Sequence, residues 1–171
     1  MPGDIVEEAF PPLPEGRFEG PQAFGEIVRQ ALSAAARQGW KEIVFSDPDF
    51  ADWPLGERAG IEALQAWAAS GRRLVLLARR FDLIERGHAR FVPWRRMWDH
   101  IIECRATGKA AGSADVPSAI WTPTWFVHRI DPERSGGVSS TDARARRALR
   151  EAIDESWRLA RPAFPASTLG L

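Results

Sequence analysis

The sequence predicts a single α/β domain with a mostly parallel, mixed sheet flanked by helices. A length of 171 residues is typical of one domain. Short apolar runs alternate with segments of helical periodicity, in the order helix, strand, helix, strand, helix, strand, strand, helix. Such alternation is typical of parallel strands joined by helices that cover the sheet. We therefore divide the chain into an extended N-terminal arm (1–20), one α/β domain (21–160) and a C-terminal tail (161–171).

The first half of the chain predicts two helix–strand pairs behind a proline-rich arm. Proline fixes φ and donates no main-chain hydrogen bond, which favours an extended conformation over 1–20. Pro21 and Pro54 suit the first turns of helices, and Gly39 and Gly71 suit their ends. The predicted helices and strands of this half cover 21–39, 42–45, 54–69 and 73–77.

The second half of the chain is patterned less regularly. A mainly helical segment over 82–99 contains Pro93, which predicts either a kink or the start of a new helix. The apolar run over 101–105 favours a strand, and the alternative is that it continues the helix. The remaining predicted segments are extended structure, a loop and a last helix, over 119–130, 131–140 and 141–160.

Composition limits the classes of function. The 23 basic and 23 acidic residues cancel, which argues against a dedicated nucleic-acid-binding protein. All but two of the basic residues are arginines, a bias typical of a GC-rich bacterial genome. No apolar run approaches the ~20 residues of a transmembrane helix, and the first residues lack the basic and apolar regions of a signal peptide. We expect a cytoplasmic protein without disulfides, in which the lone Cys104 is a core residue.

Charge is distributed unevenly, and residues 71–110 carry ten basic and four acidic side chains. Guanidinium groups suit the recognition of phosphate or carboxylate groups. The main functional prediction is therefore a non-catalytic protein without a cofactor, which binds an anionic, phosphate-containing ligand or a partner protein through an arginine-rich face. The residues assigned to this face are Arg79, Arg80, Arg86, His88, Arg95 and Arg96.

Acidic and basic side chains follow neighbouring strands of the predicted sheet. Asp47 and Asp49 come after the first strand, and Arg79 and Arg80 come after the second. Ligands of open α/β sheets bind beyond the carboxyl ends of the strands. The two arginines can therefore face an anion there, or they can pair with the two aspartates, which is the favoured interpretation.

An alternative function is that of a magnesium-dependent phosphohydrolase. Carboxylates such as Asp47 and Asp49 can hold Mg²⁺ together with water and a phosphate. The run 43–49 is similar to the strand and aspartate pair of the haloacid dehalogenase phosphotransferases. The Gly and Thr that follow in that family are replaced here by Phe50 and Ala51.

A second alternative is a nucleic-acid-binding module, in which arginines contact phosphates and aromatic rings stack on bases. The residues that indicate it are Trp94, Arg95, Arg96 and Trp98. Trp121 and Trp125 lie on the same side of a predicted extended segment, which indicates an aromatic platform for a base, a sugar or a partner chain.

The terminal segments carry apolar side chains, and those of the arm can pin it to the body of the domain or to a partner subunit. Such side chains favour docking on a second subunit, and hence a homodimer. The residues that indicate this are Phe10, Phe18, Phe164 and Leu171.

The layout of the chain between Ile43 and Arg105 resembles that of phospholipase D-like domains, in particular the proteobacterial members that have lost the catalytic motif. The resemblance is carried by a strand, a helix, a second strand, a helix and a third strand. Its characteristic runs are Ser46-Asp47-Pro48-Asp49, Leu76-Leu77-Ala78-Arg79-Arg80, Arg86-Gly87-His88 and Ile101-Ile102-Glu103-Cys104-Arg105.

Active members of that family use a His-x-Lys-x4-Asp motif, in which the His attacks phosphorus and the Lys holds the phosphate. After His88, this chain has Arg90 at the Lys position and Arg95 at the Asp position. After His128, the Lys position is Ile130. The resemblance therefore implies a catalytically silent domain of that fold that retains anion binding, and we carry over no catalytic residue.

Overall fold

Eight strands form one mixed sheet with helices on both faces. The computed structural model describes residues 11–108 and 116–165. The strands β1 to β8 span Gly16–Phe18, Glu42–Ser46, Arg73–Ala78, Ile102–Ala106, Ser118–Trp121, Phe126–Asp131, Gly136–Ser140 and Arg161–Pro162. Across the sheet they lie in the order β1-β7-β6-β5-β2-β3-β4-β8.

The helices of the described ranges follow the predicted order, with one segment divided. The helices α1 to α5 span Pro21–Gln38, Arg58–Ala68, Asp82–Gly87, Phe91–Met97 and Ala143–Leu159. A 3-10 helix spans Asp99–Ile101. The segment predicted as mainly helical therefore consists of α3, α4 and the 3-10 helix, and Pro93 lies in the first turn of α4, where its missing N–H is not needed.

The prediction of the α/β class is confirmed, but the sheet is mostly antiparallel rather than mostly parallel. Only β2 with β3 and β3 with β4 pair in parallel, and the remaining pairs are antiparallel. The reason is the connections: four residues join β5 to β6, and four join β6 to β7. Connections this short join antiparallel strands, whereas parallel strands need a crossover of a dozen residues or more.

The prediction of a loop over 131–140 is wrong, because β7 forms there and pairs with both β1 and β6. Its glycines and serines have little tendency to form strands by themselves. Gly137 is required by a close approach: a Cβ added to it would lie 2.0 Å from the carbonyl oxygen of His128. The pairing is therefore set by neighbouring strands rather than by local sequence.

The ambiguous apolar run after the 3-10 helix is a strand, as favoured from the sequence. β4 pairs in parallel with β3, opposite Leu74 to Ala78. Burial raises the pKa of the Cys104 thiol on this strand to about 12, and Cys104 is a core residue as predicted.

Two apolar clusters fill the two faces of the sheet, because side chains alternate along each strand. Ile43 and Phe45 of β2 belong to the cluster that α1, α2, α3 and α4 cover. Val44, between them, belongs to the other cluster with Leu149 and Ile153 of α5. The second face is therefore covered by a single helix of the described chain.

The terminal segments contribute to this fold. β1 comes from the predicted arm and β8 from the predicted tail, and they form the two edges of the sheet. Phe18 and Phe164 are buried in the domain's own core, which contradicts their predicted role in docking on a second subunit. Phe10 and Leu171 lie outside the described residues.

No helix within 11–108 and 116–165 is long and apolar enough to cross a membrane.

Candidate functional site

The carboxyl ends of the parallel strands converge on one edge of the sheet, where the sequence predicts a site. The loop after β2 and the start of the segment after β3 are joined by main-chain hydrogen bonds, since Arg79 and Arg80 both donate to the Pro48 carbonyl. Thr107, after β4, donates to the Ala78 carbonyl. β6 runs in the same direction as β2, so that Arg129 near its end reaches the same edge.

Arg129 forms a buried ion-pair network at this edge. One guanidinium nitrogen donates to Asp47 Oδ1 at 2.9 Å, and the guanidinium also holds both carboxylate oxygens of Asp52, at 2.5 and 3.1 Å. Its Nε donates to Ser118 Oγ at 3.0 Å. The guanidinium lies over the Phe24 ring, 4.0 Å from its centroid. These contacts occupy both edges and one face of the guanidinium group.

The electrostatics of the network keep Arg129 charged. Burial acts to lower the pKa of Arg129, but hydrogen bonds and charges from Asp52 and Asp47 outweigh it and raise that pKa above its usual value. Asp47 Oδ2 accepts the N–H groups of Asp49 and Phe50, so that both of its oxygens are used. Asp47 is 1% exposed and therefore has no open coordination position.

This network contradicts the magnesium alternative. Asp47 is committed to Arg129 and to main-chain N–H groups, and Asp49 Oδ1 accepts the Ala51 N–H in the adjacent turn. A guanidinium in contact with the carboxylate repels a divalent cation. The described part of the chain has no group of three or more His, Cys, Asp or Glu side chains that could hold a metal ion.

The ion pairing that the sequence favours between the strand-end arginines and the aspartates is present as one long, weak contact. Arg80 lies 4.0 Å from Asp49 and 3.6 Å from Asp82, which are longer than hydrogen bonds. Arg86 donates to Asp82 at 2.7 Å. The place at Asp47 that was expected for a strand-end arginine is taken by Arg129.

The other residues assigned to the arginine-rich face, His88, Arg95 and Arg96, do not form one open site with Arg80 and Arg86. His88 is buried, with Nε2 2.8 Å from the Phe50 carbonyl oxygen. Arg95 is buried as well: it donates to the Phe164 carbonyl and to Asp99. Arg96 is exposed on the side of α4 that faces away from the core. The side chains of His88 and Arg95 therefore hold loops and the C-terminal segment in place.

The predicted aromatic surfaces are largely internal. Trp94 is buried, and Trp98 is half-buried and donates its indole N–H to Gln65. Trp121 and Trp125 lie on opposite faces of the sheet, because a tight turn closed by Thr122 separates them. Trp125 is in the core, which contradicts the predicted platform.

Sequence reasoning missed Arg129, which organises the edge. A signal was available, since Arg129 follows Val127 by two residues on β6, and that spacing places both side chains on the core-facing side. A buried arginine requires buried carboxylate partners. The candidates were the three aspartates just after β2, Asp47, Asp49 and Asp52.

No protein-family model matches the chain, and no curated protein matches it. The fold is similar to that of TrmBL2, an archaeal chromatin protein whose structure is described as showing a novel mode of DNA binding. The TM-score is 0.65 and the identity 16%, over 92% of this chain and 57% of that one. The chain therefore spans little more than half the length of this neighbour, and the likeness shows the fold alone.

Proposed function

We propose that this chain is a non-catalytic domain that binds nucleic acid through phosphate contacts of exposed arginines. The observation that carries the proposal is that two exposed arginines, Arg80 and Arg86, share one carboxylate, Asp82. Arg80 also lies 4.0 Å from Asp49, and of these contacts only that of Arg86 with Asp82 is as short as a hydrogen bond. The side chains of Arg80 and Arg86 are 60% and 72% exposed, so that both can reach a ligand.

The geometry leaves guanidinium donors free for a phosphate. Arg80 approaches Asp49 and Asp82 without a hydrogen bond to either, and Arg86 uses one terminal nitrogen on the Asp82 carboxylate and its Nε on the Asp82 carbonyl. Exposed ion pairs of this kind contribute at most about 1 kcal/mol. A phosphate, which accepts paired N–H donors from an arginine, can therefore displace them at little cost.

Two further points support the proposal. The fold is similar to that of a chromatin protein described as binding DNA, which favours the nucleic-acid alternative over an unspecified anion. The buried network around Arg129 occupies Asp47, one of the two carboxylates that the hydrolase alternative needs, which favours binding without chemistry. The phospholipase D-like resemblance and a cytoplasmic location stay predictions, and both are compatible with this function.

The test measures, by fluorescence anisotropy, how the affinity for a short labelled DNA duplex depends on salt concentration. We expect the wild-type affinity to fall steeply between about 50 and 200 mM salt, because each phosphate contact adds about 0.9 to the slope of log K against log salt. Arg80→Ala with Arg86→Ala should reduce that slope by about 1.8.

The matched control replaces two exposed arginines elsewhere, Arg58→Ala with Arg72→Ala, and should leave the slope unchanged. Absence of binding, or binding that salt does not weaken, would contradict the proposed function. A normal slope for the Arg80 and Arg86 double variant would show that nucleic acid is bound at another surface.

A further inference from the structure

The charges along α5 run in the opposite direction to the one that favours a helix. Residues 141–150 hold four arginines and one carboxylate, and residues 151–160 hold three carboxylates and one arginine. A helix is stabilised by acidic residues near its N-terminus and basic residues near its C-terminus. The first turn of α5 contains no acidic residue. The stability of the helix therefore does not account for its arginines.

The fold uses one of these arginines fully and leaves two without an ion pair. Arg150 pairs with Glu42 and Asp154, and its guanidinium lies 4.5 Å from the centroid of the Trp121 ring. Arg144 and Arg147 are exposed, and neither has a carboxylate within ion-pairing distance among the described residues. Since they are three positions apart, they lie on the same side of the helix.

Arg146 extends the charge toward the sheet. It donates to the Thr141 carbonyl, which turns its side chain back along the first turn. Its own carbonyl accepts the indole N–H of Trp121, which fixes this turn of the helix to β5. The arginines are thus displayed on a helix segment that is attached firmly to the sheet.

Two of the nearby carboxylates are engaged in hydrogen bonds within the fold, and a third, Glu151, is exposed four positions after Arg147. Asp142 caps the helix by accepting the Ala145 N–H, and Glu15 accepts the N–H and hydroxyl of Thr141. Because Asp142 occupies the helix N-terminus, an anionic partner would be held by the arginine side chains and not by main-chain N–H groups.

The sheet face beside α5 continues this surface to the edge strand. Opposed residues of neighbouring strands point to the same face, and here the row is Ala119, His128, Val138 and Arg17. Ala119 and Val138 belong to the apolar cluster under α5, so that Arg17 lies on the same face as the helix. Arg17 is exposed at the end of this row, which contains no carboxylate.

We propose that Arg144, Arg146 and Arg147 form a second nucleic-acid-binding surface, on the face of the sheet opposite to α1–α4, with Arg17 at its margin. This inference rests on the proposed function for the class of its ligand. The partner is a polyanionic strand, because Arg17 lies three strands, about 14 Å, from Ala119 under the helix, so that the positive charges extend further than a single small anion. Phosphates spaced along a backbone match such an arrangement.

The test uses the charge-reversal variant Arg144→Glu with Arg147→Glu and the same labelled duplex. Loss of two phosphate contacts should weaken binding by roughly 30-fold at about 0.15 M salt, because each contact accounts for roughly 5-fold there. The melting temperature should change little, because a glutamate at 144 suits the first turn of the helix whereas one at 147 is repelled by Glu151 four positions away. A decrease in affinity without a decrease in thermal stability is the expected result.

Controls separate this surface from the proposed function. Arg58→Glu with Arg72→Glu makes the same change of charge elsewhere and should weaken binding much less. Arg144→Gln with Arg147→Gln provides a second, milder variant should the first fail to fold. If both α5 variants bind the duplex as the wild type does, this inference is overturned and the proposed function is not. If the wild type itself does not bind, the inference and the proposed function are both overturned. Preferential binding of poly-glutamate over the duplex also overturns it.

Discussion

Replacement of Arg129 by methionine tests the buried network most directly. Methionine has a similar length, so that the variant removes the charge and the hydrogen bonds while it fills much of the space. Asp47 then loses its only side-chain donor among the described residues, and Ser118 loses a partner as well. Arg134→Met is the matched control, because Arg134 is exposed in the turn that follows the same strand.

The expected magnitude follows from burial. Removal of one partner from a buried ion pair costs about 3–5 kcal/mol. Asp47 keeps the N–H groups of Asp49 and Phe50, and Asp52, whose side chain is 53% exposed, regains water. Both features lower the cost, so we expect a loss of about 3 kcal/mol, equivalent to a decrease in melting temperature of roughly 6–12 °C. The Arg134 control should stay within about 0.5 kcal/mol of wild type.

The assay is urea denaturation of both variants, together with Asp47→Asn and the double variant. Since Asp47→Asn removes the charge that Arg129 balances, the double variant should be about 1–2 kcal/mol more stable than the sum of the single effects. A loss below about 1 kcal/mol for Arg129→Met, or strictly additive effects, would refute the interpretation that these side chains form one network.

Two further predictions concern the titratable side chains of Cys104 and His128. Burial raises the pKa of Cys104 to about 12. Alkylation of this thiol near neutral pH should therefore be limited by the rate of unfolding. Rapid alkylation in the absence of urea would contradict this prediction. Burial lowers the pKa of His128, so that the unfolded chain takes up a proton more readily than the fold does as pH falls below about 6.5. Stability should therefore decrease between about pH 7.5 and pH 5.5, and His128→Gln should reduce that decrease. An identical pH profile for the variant would exclude His128 as the cause.

The sequence predicts those parts of the fold that local pattern determines. The amphipathic stripes of α1, α2 and α5 and the apolar runs of β2, β3 and β4 carry enough information by themselves. β1, β7 and β8 could not be predicted in this way, because they are short and consist of residues such as Gly, Ser, Arg and Pro. They are extended because neighbouring strands satisfy their main-chain groups, which is a tertiary effect.

The position of the candidate site could be predicted from the sequence, but the ion pairs within it could not. The topology rule places Asp47, Asp49, Arg79 and Arg80 at one sheet edge, and the structure agrees. The partner of Asp47, however, is 82 residues away in the chain, on a strand whose neighbours were not foreseen. Arg129 occupies the place at Asp47, and the pairing expected from the sequence is reduced to a weak contact of Arg80 with Asp49.

The zero net charge of the sequence argues against nucleic-acid binding, but the distribution of charge along α5 answers this objection. The arginines of its basic half and the carboxylates of its acidic half are on average six to seven residues apart, which is about 10 Å at ~1.5 Å per residue. Physiological salt screens exposed charges beyond about 8 Å. A phosphate beside Arg144 and Arg147 therefore experiences the basic half of the helix and, of the acidic half, mainly Glu151, which is four positions from Arg147. Net charge governs steering at long range, whereas contact with a phosphate depends on the charges within one screening length, and there this surface is positive.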